Sequence, residues 1–296
     1  MLAVVVLAGG LVGCTEAVEP VTPTGRPFSL YGYLDPGSDR QAIRVFPIEA
    51  ALFPAFNARI DAVVQSLPAP GGPRLTWRDS SVAYPYHYGT QDVDTTWGYV
   101  FSASFRPTFG SVVRLTVQRS DGAESRVDVE VPGKASVVLG PPAAWPSNVS
   151  IPVHYKGDVR VLTTSVVYTV SSPEAREPWV IELESVGPTP LYTPGAATVV
   201  RVQLSSDLGR IYTLTGLTPG LHDLYLLGLE VKTFLVHPSW NPPGGRFDPE
   251  LLVDPFVFTN VENGFGYVGS GYIEKTAWDI DQEVAELAGF DNRPAG

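Results

Sequence analysis

The stretch SVVRLTVQRSDGAESRVDVEVP (111–132) decides the fold class, because apolar and polar residues alternate on both sides of a tight turn. The apolar residues at alternate positions are Leu115, Val117, Val127, Val129 and Val131. Alternation with a period of two is typical of a strand that buries one face. Asp121-Gly122, between the two runs, is a strong hairpin signal. The stretch therefore predicts two paired antiparallel strands with one buried face.

Similar short apolar runs extend in both directions from this hairpin. FSLYGYL (28–34), the turn Asp35-Pro36-Gly37-Ser38 and QAIRVFPI (41–48) predict a second hairpin. Residues 49–66 fit either a short helix or strand connections, and this choice stays open. The other predicted strands are 75–79, 97–105, 150–155, 158–170, 179–186, 198–206, 210–217 and 222–236. Strands of this length and spacing predict an all-β chain, a two-part β-sandwich of immunoglobulin-like architecture.

The ends of the chain differ from this strand-rich middle. Ile280, Val284, Leu287 and Ala288 have helical spacing, which predicts a short C-terminal helix. Gly133 to Ser150, rich in proline, is the expected junction between the two β regions. The predicted segments are a lipoprotein signal peptide (1–13), a lipidated tether (14–27), a β-sandwich domain (28–133), a second β domain (134–275) and a helical tail (276–296).

The composition limits the classes of function. With 20 basic and 31 acidic residues the net charge is −11, which disfavours binding to the phosphates of nucleic acid. The chain contains 29 glycines and 28 prolines, and both residue types interrupt helices and favour turns. The single cysteine leaves no pair for a disulfide bond.

That cysteine follows an apolar segment, MLAVVVLAGGLVG (1–13), which has the length of a signal-peptide core and is too short to span a bilayer as a helix. Leu11-Val12-Gly13-Cys14 matches the bacterial lipobox, in which the cysteine receives lipid before cleavage. The segment lacks the basic residues that usually open such a signal. Thr15, rather than Asp, follows Cys14, so the inner-membrane retention signal is missing. We therefore expect a lipid anchor on Cys14 in the cell envelope, at the outer membrane.

A run dense in aromatic and acidic residues is the candidate ligand site. Its proposed ligand-binding residues are Tyr86, Tyr88, Asp92, Asp94, Trp97 and Tyr99. Aromatic faces beside carboxylates are suited to holding sugars, and Asp92 and Asp94 could alternatively offer oxygens to Ca²⁺, although the rest of the EF-hand pattern is missing. The simpler alternative is that the aromatic residues line a sandwich face and the acids keep a loop hydrated.

No motif for catalysis, metal binding or a cofactor stands out. The four histidines, His87, His154, His222 and His237, each stand alone in their segments, so no metal site and no catalytic residue is predicted. The glycine-rich run NVENGFGYVGSGY (260–272) lacks a following helix and a basic residue, so it does not predict a phosphate-binding loop. Its glycines instead indicate a last strand that other strands approach closely.

Several of these stretches resemble one family of bacterial lipoproteins. They are the lipobox at Cys14, FSLYGYLDPGSDRQAIRVFPI (28–48), the FRPTFGSVVRLTV, DG and VDVEVPG segments within 105–133, and DPFVFTNVENGFGYVGSGY (254–272). The chain resembles the lipoproteins of unknown function that are often encoded beside TonB-dependent outer-membrane importers and their glycan-binding lipoprotein partners. The resemblance implies an envelope location and an all-β build. It implies no activity, and it transfers no catalytic residue.

The leading functional hypothesis is a non-enzymatic envelope lipoprotein that binds a ligand or partner, accessory to nutrient uptake. Its expected partners are the membrane, through the N-terminal lipid, and a glycan or an outer-membrane transport complex. One alternative is a carbohydrate-active hydrolase with paired carboxylates, for which Asp92 with Asp94, or Glu262, are the candidates. A second alternative is a structural envelope protein without a ligand.

Overall fold

The computed structural model describes residues 25–48, 59–68, 72–88, 92–145, 148–185, 191–242 and 258–291, without the side chains of 81–88, 92–97 and 144–145. The chain is mostly strand, with 53% of residues in strands and 9% in helices. The predicted all-β class is therefore confirmed, as is the short C-terminal helix. The described helices are all too short or too polar to cross a membrane. The predicted signal peptide, Cys14 and most of the tether lie outside the described residues.

The described strands and helices follow one another along the chain. They are β1 Phe28–Leu34, β2 Arg40–Pro47, β3 Val63–Leu67, β4 Leu75–Thr76, β5 Arg78–Tyr88, β6 Asp92–Ser104, β7 Val112–Gln118, β8 Glu124–Glu130, β9 Ser136–Leu139, β10 Ala143–Trp145, β11 Asn148–Lys156, β12 Arg160–Ser171, β13 Trp179–Glu184, β14 Thr198–Gln203, α1 Leu204–Thr215, β15 Tyr225–Val236, β16 Gly264–Trp278 and α2 Gln282–Ala288.

One long sheet runs through both halves of the described chain. It is 8-stranded, in the order β13-β12-β15-β16-β1-β2-β6-β5. Two 4-stranded sheets accompany it: β4-β3-β7-β8, and β10-β11-β14 with β9 paired to β11. The predicted hairpins at 28–48 and 111–132 both form, as β1 with β2 and β7 with β8. Gly122, in the second turn, has a φ of 88°, which suits glycine.

Each small sheet packs on one part of the long sheet, and this gives two sandwiches with separate cores. The first core joins Leu30 of β1, Phe101 of β6 and Leu115 of β7, all nearly inaccessible to solvent. The second core joins Ile151 of β11 and Tyr168 of β12, and it includes residues of both helices. A two-part sandwich is therefore what the alternating pattern produces, because every strand needs an apolar partner for its buried face.

The last strand belongs to both sandwiches. Residues 264–270 of β16 pair in parallel with β1, and residues 271–278 pair antiparallel with β15. The predicted second domain, 134–275, thus sends part of its final strand into the sheet of the first sandwich. β16 continues to Trp278, past the predicted start of the helical tail, and α2 spans Gln282–Ala288.

The glycines of β16 permit this double pairing, as the sequence indicated. Gly266 has a φ of 90°, and a Cβ built there would lie 2.0 Å from the carbonyl oxygen of Leu30 on β1. A Cβ on Gly269 would lie 2.5 Å from Cζ3 of Trp240. Contacts this short exclude a side chain at either position without movement of its neighbours. The glycines therefore bring β1 and the Trp240 ring against the backbone of β16.

The connection from the first sandwich to the second is tied to β16 by a buried tyrosine. Ala135 N donates a hydrogen bond to the hydroxyl of Tyr272 at 2.8 Å, and that hydroxyl lies 3.4 Å from the carbonyl oxygen of Gly133. Lys134, between them, has its Nζ 2.5 Å from Glu274 Oε2 and above the ring of Phe109. The predicted junction, 133–150, contains β9 and β10, and both pair with β11 of the second sandwich.

The prediction of strands over 198–206 and 210–217 is wrong in part, because α1 occupies 204–215. Only β14 forms in this region. Leu204, Leu208, Ile211 and Tyr212 have helical spacing and are buried in the second core. Burial of this face outweighs the weak helix propensity of the Ile-Tyr-Thr run. The helix ends at Gly216, which adopts the left-handed conformation with a φ of 72°.

Candidate functional site

The predicted aromatic and acidic residues lie on the β5–β6 hairpin at the edge of the long sheet. The backbone register places Tyr88 opposite Asp92, and Tyr86 opposite Asp94. Trp97 pairs with Ala83, and Tyr99 pairs with Ser81. Of the six predicted residues, only Tyr99 has a described side chain, which is partly buried against the first core. A ligand site on this hairpin stays a prediction.

Glu262, the other carboxylate considered at the sequence level, lies just before β16. Its backbone forms an isolated β-bridge with Arg126. Its carboxylate oxygen Oε2 lies 4.0 Å from Nη1 of the Arg126 guanidinium. The side chain is 75% exposed. Glu262 therefore anchors the start of β16 to β8 by its backbone and holds its carboxylate in solvent, where charge interactions are weak.

A cleft of about 170 Å³ lies where the two sandwiches meet. Residues of β8, of the segments 237–240 and 258–260, and of the first half of β16 line it. The lining combines aromatic rings with hydrogen-bonding groups, namely Asp128, Glu130, His237, Trp240, Phe258, Asn260 and Tyr267. Ligand sites are typically concave, with apolar walls and a few convergent polar groups. This cleft is therefore the candidate functional site within the described residues.

Side chains of the 258–260 segment satisfy one edge of β16 and thereby form one wall of the cleft. Asn260 Nδ2 donates to the carbonyl of Val268 at 2.7 Å, and Val268 N donates to Asn260 Oδ1 at 3.0 Å. The amide of Asn260 thus replaces the backbone of a neighbouring strand. Phe258, two residues earlier, lies with its ring 6.4 Å from that of Tyr267 and is 56% exposed. Its ring is therefore available to a ligand.

Trp240 forms the buried base of the cleft. Its ring centroid lies 5.8 Å from those of Phe234 and Tyr267, both in edge-to-face geometry, and the residue is 3% exposed. Asn241 N donates to the hydroxyl of Tyr267 at 2.8 Å, and Arg160 Nη1 donates to the carbonyl of Trp240 at 3.0 Å. Burial raises the pKa of Tyr267, so its hydroxyl stays protonated at neutral pH. These contacts make the base rigid and largely apolar.

His237 connects the two sandwiches at the side of the cleft. Its Nδ1 lies 3.3 Å from Oε2 of Glu130 on β8, and its Nε2 lies 3.9 Å from Oδ2 of Asp158, just before β12. Ser239 N donates to the same Nδ1 at 3.2 Å, and Ser239 Oγ is 2.8 Å from it. A backbone donor at Nδ1 assigns the proton of the neutral ring to Nε2.

This arrangement does not form a nucleophilic triad. The lone pair of His237 Nδ1 already accepts from the backbone of Ser239, so it is not free to take the hydroxyl proton of that serine. The 3.9 Å separation from Nε2 to Asp158 is too long for the orienting hydrogen bond of a triad. His237 therefore lies beside Glu130 and accepts from the backbone of the 237–240 turn instead of activating Ser239.

Asp128 and Glu130 are the carboxylates of the cleft, and they differ in their surroundings. Arg114 donates to both oxygens of Asp128, with Nε–Oδ1 and Nη2–Oδ2 distances of 2.6 Å. This hydrogen bonding lowers the pKa of Asp128, so that it stays ionised and unsuited to donate a proton as a general acid. Glu130 has a half-exposed carboxylate beside His237. It is the acceptor that a ligand can reach.

The described part of the chain contains no group of three or more His, Cys, Asp or Glu side chains arranged to hold a metal ion. A scan against models of protein families gives no match, and a search of the curated proteins gives none either.

None of the residues that line the cleft was identified from the sequence as ligand-binding. The sequence pointed to 260–272 for its glycines, and that segment does supply Tyr267 and the wall of β16. His237, Trp240 and Phe258 come from segments with no recognisable motif, and Asp128 and Glu130 read as the polar face of a strand. For Trp240 and Phe258 the only local signal is an aromatic residue outside a strand, which is common in many proteins.

Proposed function

We propose that the protein is a lipid-anchored lipoprotein of the bacterial envelope that binds a small ligand in the cleft between its two sandwiches. The anchor is Cys14 in its lipobox, and the proline-rich segment 14–27 is the tether. The single observation that carries the binding function is the pairing of an exposed aromatic ring, Phe258, with a reachable acceptor, Glu130, in a concave cleft of about 170 Å³.

The rigid base of this cleft supports binding over a structural role alone. Trp240 and Tyr267 are held by ring contacts and backbone hydrogen bonds before any ligand arrives. A preformed site loses little conformational entropy when it binds. An outer-membrane location and a role accessory to nutrient uptake accord with the lipobox and with the family that the sequence resembles. Both remain part of this proposal.

The anchor is tested by replacing the cysteine. Cys14→Ser in the expressing bacterium should abolish incorporation of labelled fatty acid and release the protein from the membrane fraction, because the thiol that receives the lipid is gone. Thr15→Ser, next to it, should retain the label and the membrane location. Unchanged fatty-acid labelling of the Cys14→Ser variant would disprove lipidation at this residue.

Ligand binding is tested with the full chain in detergent. We expect at least one member of a panel of sugars, amines, amino acids and inorganic ions to raise the melting temperature, since a ligand that binds only the folded state stabilises it. Phe258→Ala should remove the shift. Ile273→Ala is the matched control, because Ile273 is also 56% exposed but lies outside the cleft lining. A panel that leaves the melting temperature unchanged would overturn the binding function.

A further inference from the structure

We infer that the cleft selects a single sugar ring that is uncharged or carries an amine, and that it discriminates against acidic sugars. This inference rests on the proposed function and adds the chemical class of the ligand. Three properties of the lining carry it: its size, the placement of its aromatic rings and the signs of its charges.

The cleft is large enough for one six-membered ring, whose substituents would extend through its open side. A cavity of about 150 Å³ is large enough to hold benzene, and the cleft has a volume of about 170 Å³. The exposed ring of Phe258 stands at one wall and Tyr267 continues the aromatic surface behind it, tilted at 47°. A sugar ring has apolar C–H groups on its faces and hydroxyls around its edge. It can therefore pack one face on Phe258 and direct its edge to polar groups.

The reachable side-chain carboxylate in the cleft, Glu130, favours a ligand with hydrogen-bond donors. Glu130 offers carboxylate oxygens, which accept hydrogen bonds and cannot donate them when ionised. Asp128 stays ionised because hydrogen bonding from Arg114 lowers its pKa, and Arg114 already occupies both of its oxygens. Hydroxyl and ammonium groups on a ligand would donate to Glu130. The lining thus resembles the acceptor side of a polyol site.

The carboxylates in the lining disfavour an anionic ligand. Among the described lining residues there are two carboxylates and no lysine or arginine. Arg160, beside the base, donates to the carbonyl of Trp240. A ligand carboxylate or phosphate would therefore meet Glu130 with no lysine or arginine in the described lining to offset the repulsion, because the guanidinium of Arg114 is paired with Asp128. Like charges that face each other weaken binding.

The inference is tested by isothermal titration of the full chain in detergent with glucose, glucosamine, glucuronic acid and inorganic phosphate. We expect glucose and glucosamine to bind saturably, and glucuronic acid to bind at least about tenfold more weakly than glucose. Glu130→Gln should reduce the difference in affinity between glucuronic acid and glucose, because it removes the negative charge and keeps the shape of the side chain. Glu124→Gln, on the same strand but outside the lining, should leave this difference in affinity unchanged.

The outcomes separate this inference from the proposed function. Tighter binding of glucuronic acid or phosphate than of glucose, abolished by Phe258→Ala, would overturn the ligand class and leave ligand binding in the cleft intact. Sugar binding that Phe258→Ala and Glu130→Gln both leave unchanged would overturn the assignment to this cleft. Failure of all four compounds to bind would overturn the sugar class, while the broader panel of the melting-temperature assay decides the binding function separately.

Discussion

Replacement of Gly269 by alanine should destabilise the protein through the base of the cleft. The added Cβ would lie 2.5 Å from Cζ3 and 2.6 Å from Cε3 of Trp240, and 3.0 Å from Cε1 of Tyr267. The Trp240 ring is enclosed by Phe234 and Tyr267, at centroid distances of 5.8 Å. It therefore cannot move away without displacing the buried ring of Tyr267 or the partly buried ring of Phe234.

The expected magnitude follows from overpacking of a tight core. Extra methyl groups in well-packed interiors cost about 1–3 kcal/mol. A change of about 1 kcal/mol moves the melting temperature by about 2–4 °C in domains of roughly 150–250 residues. We expect Gly269→Ala to lower the free energy of unfolding by about 1–3 kcal/mol. Urea denaturation, followed by near-ultraviolet circular dichroism, measures this loss together with the environment of the tryptophans.

Gly228→Ala provides the matched control, because Gly228 is also in a strand and a Cβ there has no heavy atom within 4 Å. It should be neutral or slightly stabilising, by up to about 1 kcal/mol. A double-mutant cycle with Trp240→Phe isolates the clash, since the smaller ring lacks the atoms nearest to the new Cβ. We expect a favourable coupling of about 0.5–3 kcal/mol. Equal stability of the Gly269→Ala and Gly228→Ala proteins would refute the packing argument.

Three further predictions concern buried and paired groups. Tyr168→Phe removes the hydroxyl that donates to Asp207 at 2.6 Å in the second core, and it should cost about 1–3 kcal/mol in urea denaturation; Tyr192→Phe, which removes the exposed Tyr192–Asp158 bond, should stay within about 0.5 kcal/mol of the original protein. Hydrogen bonding from Arg114 lowers the pKa of Asp128, so this carboxylate adds stability above its unfolded pKa of about 3.9, and that stability disappears as the pH falls through the folded value. Asp128→Asn should therefore flatten the acid limb of a stability profile, and an unaltered limb would contradict the pairing. Burial raises the pKa of Tyr272 to about 12. Its contribution to the free energy of unfolding should therefore be present below about pH 10, the unfolded pKa, and be lost as the pH rises to the pKa of the folded state. Tyr272→Phe should reduce this alkaline loss, and an identical alkaline profile in both proteins would argue against a buried hydroxyl.

Strands and hairpins could be predicted where the signal is local. The alternation in β7 and β8 and the Asp121-Gly122 turn between them lie within one short stretch, so neighbouring residues specify the pairing. The glycines of β16 were also informative, because close approach of backbones leaves a compositional trace. α1 was missed because its Ile-Tyr-Thr run has strand-like propensity. The second core selects the helix by burying Leu204, Leu208 and Ile211.

The cleft could not be predicted, because its parts are distant in sequence. Glu130 and His237 approach within 3.3 Å only after β8 and the end of β15 have taken their places in different sheets. Phe258 reaches Tyr267 because Asn260 substitutes for a strand at the edge of β16. None of these pairings has a periodicity or spacing of its own. The aromatic run that does stand out in the sequence maps to a different place, the β5–β6 hairpin.

By itself, the sequence determined the all-β class, the two local hairpins and the short C-terminal helix, because each depends on the periodicity of adjacent residues. Only the tertiary structure decided that β16 pairs in parallel with β1 and antiparallel with β15, which joins the two sandwiches through one sheet. Long-range pairing depends on which buried faces complement each other after the chain has closed on itself. The junction cleft, with Glu130 beside His237 and Phe258 beside Tyr267, is a product of that closure.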